Sequence, residues 1–137
     1  MAAKLAAHAE RARELQRRSL VIAEQDIQAY ARVREAGGGA ERARALTEAS
    51  EPPLAMTELA AELAETATDV AKIGSWAFVA DLHAASELAA GGARASYRLV
   101  EANLVDRPGD NRLTQARLAV VRAEQASQAA DRLDPSE

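Results

Sequence analysis

Four breaks cut this chain into helix-length pieces. They are the three successive glycines Gly37, Gly38 and Gly39, the run Ser50-Glu51-Pro52-Pro53, the lone Gly74, and the turn-rich stretch Asp106-Arg107-Pro108-Gly109-Asp110. Between the breaks alanine dominates, at 35 of the 137 positions. Alanine, leucine, glutamate and arginine lose least on entering a helix. Aromatic residues make up only 3% of the chain, and β-branched residues are sparse, so no segment carries a strand signature. The expectation is an all-α fold, an antiparallel bundle of about five alanine-rich helices, with residues 1–137 as a single domain.

Alanine also constrains the core. It buries little apolar area, so a core made of it gains less per residue than one made of leucine. Small side chains let helices approach closely in return. A thin core of this kind points to a homo-oligomer, a dimer first of all.

The breaks place the elements. A first helix is expected over about Ala2–Arg34, with Leu15, Leu20, Ile22, Ile27 and Tyr30 as its larger apolar groups, ended by the glycine triplet. That triplet is not a phosphate cradle, because it lacks the preceding strand and the lysine such a loop requires. A short helix over Ala40–Ala49 follows. Ser50 is placed as the N-cap of a third helix reaching about Ile73, with the prolines tolerated in its first turn. Gly74 stops it, and Ser75 caps a fourth helix over roughly Trp76–Leu104. On this helix Phe78, Leu82, Ala85, Ala89, Gly92, Ser96, Leu99 and Asn103 recur at helical spacing as a seam of mostly small groups. Gly91 and Gly92 each cost about 1 kcal/mol against alanine in a helix, which a close helix crossing would offset. A last helix is expected over about 110–133, with Leu113, Ala116, Val120, Ala123 and Ser127 on one face and Asp110 as its cap.

Several functions are excluded by what the chain lacks. The formal net charge of −4 and the absence of a basic stripe or of stacking aromatics argue against nucleic acid as a partner. There is no cysteine, and His8 and His83 are far apart, so no metal site is expected. No apolar run is long enough to span a bilayer, and the start lacks the apolar core of a signal peptide, so a cytoplasmic protein without a membrane partner is expected. No Ser-His-Asp order or nucleotide fingerprint stands out.

The residues able to carry chemistry are few. Asp81 follows the Gly74 break by two helical turns. A carboxylate there could accept hydrogen bonds from a planar nitrogen heterocycle or move protons; sequence physics alone favours the plainer reading, a negative charge placed near a positive helix end. Asp26 and Tyr30 form an i, i+4 pair able to bond locally or to line a cleft. Asn103 closes the seam and needs either a helix end or a ligand as partner. Trp76 reads as a core or interface anchor, and His83 as a surface residue.

In order along the chain, LVIAEQDIQAY, EASEPPL, Gly74 followed by Asp81, and RLVEANL together resemble the cyclodeaminase/cyclohydrolase family. That family comprises the C-terminal domain of formiminotransferase-cyclodeaminases and the stand-alone methenyltetrahydrofolate cyclohydrolases. The resemblance covers about Arg11–Val105. The family's N-terminal glycine-rich loop and first helix have no counterpart in it, and Ser75, Ala80 and Leu99 depart from the motif.

The resemblance implies a helical, oligomeric enzyme acting on a one-carbon tetrahydrofolate as substrate, with no tightly bound cofactor. In one version water adds to the methenyl carbon and the ring opens. In the other an internal amine closes the ring and ammonia leaves. Asp81 would serve as the acid/base or pterin contact, and Asp26, Tyr30 and Asn103 as substrate-binding residues. The alternative is a non-catalytic scaffold built on the same helices.

Overall fold

The structure, a computed structural model, describes residues 1–73 and 78–133. Every regular element in them is helical: α1 (Ala2–Glu35), α2 (Gly39–Ala49), α3 (Glu51–Ile73), α4 (Val79–Asn103) and α5 (Asn111–Asp131). Gly74, Ser75 and Trp76, to which a stop, a cap and an anchor were assigned, lie outside the described residues.

Local chemistry sets the described breaks. Ala36 leaves α1 in an extended conformation, and Gly38 and Gly39 take φ of 125° and 55°. Those angles belong to glycine, so the chain turns there and α2 starts at once. At the other end of the bundle the Asp110 side chain accepts the Arg112 backbone N–H at 3.0 Å, the N-cap expected for α5. The same bond, with Arg112 and Arg107 nearby, holds the Asp110 carboxyl below its ordinary range.

Ser50 behaves differently from expectation. Its backbone is helical (φ −79°, ψ −18°), and its hydroxyl donates back to the Thr47 carbonyl at 2.6 Å. The hydroxyl therefore closes α2 instead of capping α3. The Ser50 carbonyl still accepts the Leu54 N–H at 3.1 Å, so the two helices meet at a nearly continuous joint. Pro52 and Pro53 fit there because early helical positions need no N–H donor.

α3, α4 and α5 form the centre. Short connections make successive helices antiparallel, so α3 and α5 run the same way; the ion pairs Glu51–Arg112 and Glu65–Arg122, at 2.6 and 2.8 Å, show the parallel register. Alanines from all three helices meet on the axis, among them Ala61, Ala64, Ala90, Ala93 and Ala123. A smaller cluster of larger side chains, Leu54, Val100 and Leu104, closes the end near the α2–α3 joint. Thr68 ties the opposite end, its single hydroxyl proton shared between the Ala64 carbonyl of its own helix and the Ala126 carbonyl of α5, at 2.8 and 2.9 Å.

α1 lies outside this centre, antiparallel to α3. Leu15 and Ile22 pack on Leu59, while Ala29 and Val33 pack on Ala49. Arg11 and Arg18, one heptad apart, both reach Glu62. Of the apolar groups expected to anchor α1, only Leu15 and Ile22 are buried; Leu20, Ile27 and Tyr30 face outward.

The buried face of α4 takes in only part of the expected seam. Ala89 and Ser96 are buried as expected, with Val79, Ser86, Ala90, Ala93 and Val100 beside them, whereas Phe78 and Leu99 are exposed. The burial stripe is rotated from the seam because alanine on nearly every side of the helix leaves its inward face undefined. No helix crosses at the glycine pair. A Cβ on Gly92 would meet nothing within 4 Å, and one on Gly91 would meet only the Arg94 side chain.

Candidate functional site

Because Gly92 has no Cβ and Ala12, Ala60, Ala85 and Ala89 have short side chains, the three helices α1, α3 and α4 leave a groove between them. Its volume is about 510 Å³, and its walls are apolar: Leu15 from α1, Met56, Leu59 and Leu63 from α3, Leu88 from α4. Gln16 and Ser19 on α1 are its polar lining residues. The volume falls within the range of roughly 300–1,000 Å³ typical of small-molecule sites. An apolar slot with one amide and one hydroxyl can hold the faces of a flat ring and orient its edge. The sequence reading placed Leu15, Ala85, Ala89 and Gly92 on apolar helix faces but assigned none of the lining residues to a binding site.

The predicted residues divide between the two ends of the bundle. α1 and α4 run the same way, each antiparallel to α3. Asp26 stands seven residues beyond the groove residue Ser19, about 10 Å along α1, and Asn103 eleven residues beyond Gly92, about 16 Å along α4. Asp26 is half-buried on the face of α1 that carries Leu15 and Ser19. Tyr30, one turn on from Asp26, is 63% exposed. The Asn103 amide is committed to a helix end: its Nδ2 donates to the Ala49 carbonyl at 2.8 Å, closing the last turn of α2.

Asp81 stands apart. It occupies the first turn of α4, closer to the helix start than its sequence reading placed it, and is exposed. A carboxylate there lies against the positive end of the helix dipole. Asp81 and Asn103 are separated along α4 by about 33 Å, so a single chain does not bring them together. The groove lining includes none of the four candidates.

Two polar clusters went unnoticed in the sequence. Between α4 and α5 a second cleft of about 440 Å³ is lined by Tyr97, Glu101, Leu104, Leu113 and Arg117 among others. Arg117 donates to the Tyr97 hydroxyl at 3.2 Å, which raises the guanidinium pKa. Arg98 bonds Glu101 at 2.7 Å and, with Tyr97, holds the Glu101 carboxyl below its ordinary range. The i, i+4 spacing of Tyr97 and Glu101 was the available signal.

Nearer the start of α4, Ser127 donates to Glu87, one turn beyond His83. His83 is half-buried, and its Nε2 is enclosed with no partner among the described residues. This corrects its reading as a surface residue. No group of three or more acidic or histidine side chains among the described residues could hold a metal ion. No described helix is long and apolar enough to cross a membrane.

The family model described as formiminotransferase-cyclodeaminase matches residues 1–122, from the start of α1 into α5. No curated protein and no solved structure matches the chain.

Proposed function

The chain belongs to the formiminotransferase-cyclodeaminase family, and from that premise we propose that it interconverts one-carbon tetrahydrofolates in the cytoplasm as a homo-oligomer, a dimer in its simplest form. The observation that carries this reading is the family match over α1–α4. The apolar groove between α1, α3 and α4 supports it, being large enough for a flat heterocycle.

The chemistry asks little of the protein beyond orientation and a proton acceptor. The methenyl carbon bridging two nitrogens is already electrophilic. In hydrolysis, water forms a bond to that carbon, one carbon–nitrogen bond breaks, the freed nitrogen keeps a proton, and one proton is released. In cyclodeamination, the internal amine attacks the formimino carbon, the formimino nitrogen gains the attacking amine's proton and one more from solution, and its bond to the carbon breaks to release ammonia. Neither step needs an oxidant or a bound cofactor. Asp81 is the carboxylate proposed to take or return the proton; Asp26, Tyr30 and Asn103 are proposed to border the substrate.

A second reading is a scaffold of the same family that has no activity. It is favoured by the exposure of Asp81 and by its distance from Asn103 within one chain. One experiment separates the two. Loss of methenyltetrahydrofolate absorbance, and ammonia release from formiminotetrahydrofolate, are followed with the wild-type chain and with Asp81→Ala. The enzyme reading expects turnover above buffer that falls by about 10²-fold or more in the variant. No turnover of either substrate supports the scaffold, and equal rates in both chains remove Asp81 from the mechanism.

A further inference from the structure

The turn at residues 106–110 folds α5 back along α4 as a helical hairpin, so Tyr97 and Arg117, twenty residues apart, meet across it. The cleft of about 440 Å³ between the two helices shares no lining residue with the groove between α1, α3 and α4. Its size is also that of a small-molecule site. Its lining is of two kinds. Leu104, Val105, Pro108 and Leu113 gather where the hairpin turns, and Leu118 borders the far end. Leu104 is 1% exposed and makes a fixed floor, while Val105 is 70% exposed and makes a rim. The polar groups are Tyr97 and Glu101, one turn apart on α4, and Thr114 and Arg117, one turn apart on α5. Each pair therefore shares a helix face.

These polar groups keep bonding capacity in reserve. Arg117 gives one N–H to the Tyr97 hydroxyl at 3.2 Å, and a guanidinium has five to give. Arg98 bonds Oε2 of Glu101 at 2.7 Å, and Tyr97 stands close enough to help hold that carboxyl low, which still leaves lone-pair sites on Oε1. Thr47, Thr57, Thr66 and Thr68 return their hydroxyls to the carbonyl four residues back. Among the described residues Thr114 makes no such bond, and it is exposed in the cleft. Glu101 and Arg117 feel each other's charge across the cleft, yet no ion pair closes between them. A facing guanidinium and carboxylate held open above an apolar floor suit a zwitterion. The guanidinium fork takes a carboxylate, and the protein carboxylate takes an ammonium.

We propose that the α4–α5 cleft binds a free α-amino acid with a large apolar side chain, of the leucine or phenylalanine type. The ligand carboxylate meets Arg117 and the Thr114 hydroxyl. Its ammonium meets Glu101, and its side chain lies on Leu104 and Leu113 beside Pro108. Acidic amino acids are refused, because a second carboxylate would enter the apolar floor or face Glu101. An acylated amino acid is refused as well, because it has no ammonium for Glu101. The cleft lies apart from the groove, so this site stands or falls independently of the folate reading.

Isothermal titration calorimetry of the wild-type chain with L-leucine, L-phenylalanine, L-glutamate and N-acetyl-L-leucine tests the assignment. Leucine or phenylalanine should bind with a Kd below about 1 mM, and the other two at least about tenfold more weakly. Arg117→Gln and Glu101→Gln should each weaken binding at least about tenfold. Val105→Glu places a charge at the exposed apolar rim without altering either charged anchor, and it should weaken binding by a similar factor. All three changes lie at the surface of the hairpin, so circular dichroism should match the wild type. No binding of leucine or phenylalanine up to about 10 mM overturns the site. Equal affinity for leucine and N-acetyl-L-leucine, or wild-type affinity in both Arg117→Gln and Glu101→Gln, overturns it too.

Discussion

The centre where α3, α4 and α5 meet and the seam where α1 joins α3 are made of opposite materials. In the centre, alanines such as Ala61, Ala64, Ala93 and Ala123 are completely buried. Each gains on the order of 0.8 kcal/mol for its methyl group, and stability comes from the number of such groups and from helix propensity. At the seam a few large side chains, Leu15, Ile22 and Leu59, carry the packing, and Arg11 and Arg18 share Glu62 at its edge. Full burial of one such side chain is worth about 1.5–3 kcal/mol. The centre leaves no room for added atoms, while the seam cannot spare the atoms it has.

The sharpest way to break this contrast is at the seam. Leu15→Ala removes a side chain that is 1% exposed and should cost about 2–5 kcal/mol in urea unfolding monitored by circular dichroism. A loss under 1 kcal/mol would mean that α1 is held by something other than its leucines. In the centre, Ala123→Leu adds three carbons at a position with no exposure and should cost about 1–3 kcal/mol by the same measurement. The same change at exposed Ala23 of α1 is the control and should be close to neutral. The smallest effect is expected from Glu62→Gln, which releases both arginines at the partly exposed edge of the seam. It should cost at most about 1 kcal/mol at low salt, and the difference from wild type should shrink in high salt. An equal loss in high salt would assign Glu62 a packing role instead.

The same contrast explains what the sequence could and could not reveal. Helix limits were legible, because glycine, proline and the Asp110 cap act through the backbone of their own neighbourhood: α1, α3 and α5 fall within a few residues of expectation. Facing was legible on α5, where Ala116, Ala123 and Ser127 are buried on one face as expected. On α4 it was legible only in part, at Ala89 and Ser96. Alanine and glycine fit either side of a helix, and two of its three leucines, Leu88 and Leu99, are exposed. The fate of Asn103 was half legible: a helix end was one of its two readings, but that the end belongs to α2 depends on tertiary packing. The groove was hidden because it is made by absent side chains. Separation of Asp81 from Asn103 along α4 was legible in principle from the rise per residue alone.

α1 has 34 residues and its main partner α3 has 23, so the outer helix runs on past the start of α3, where Ala29 and Val33 pack on α2, and over the length it shares with α3 it stays outside the three-helix centre. Amides of α1 should therefore exchange with solvent through a detachment that leaves α3, α4 and α5 folded, at a free energy below that of global unfolding. The walls of the groove would separate in that same excursion, so an occupant bridging α1 and α4 would slow deuterium uptake along α1 more than anywhere else in the chain.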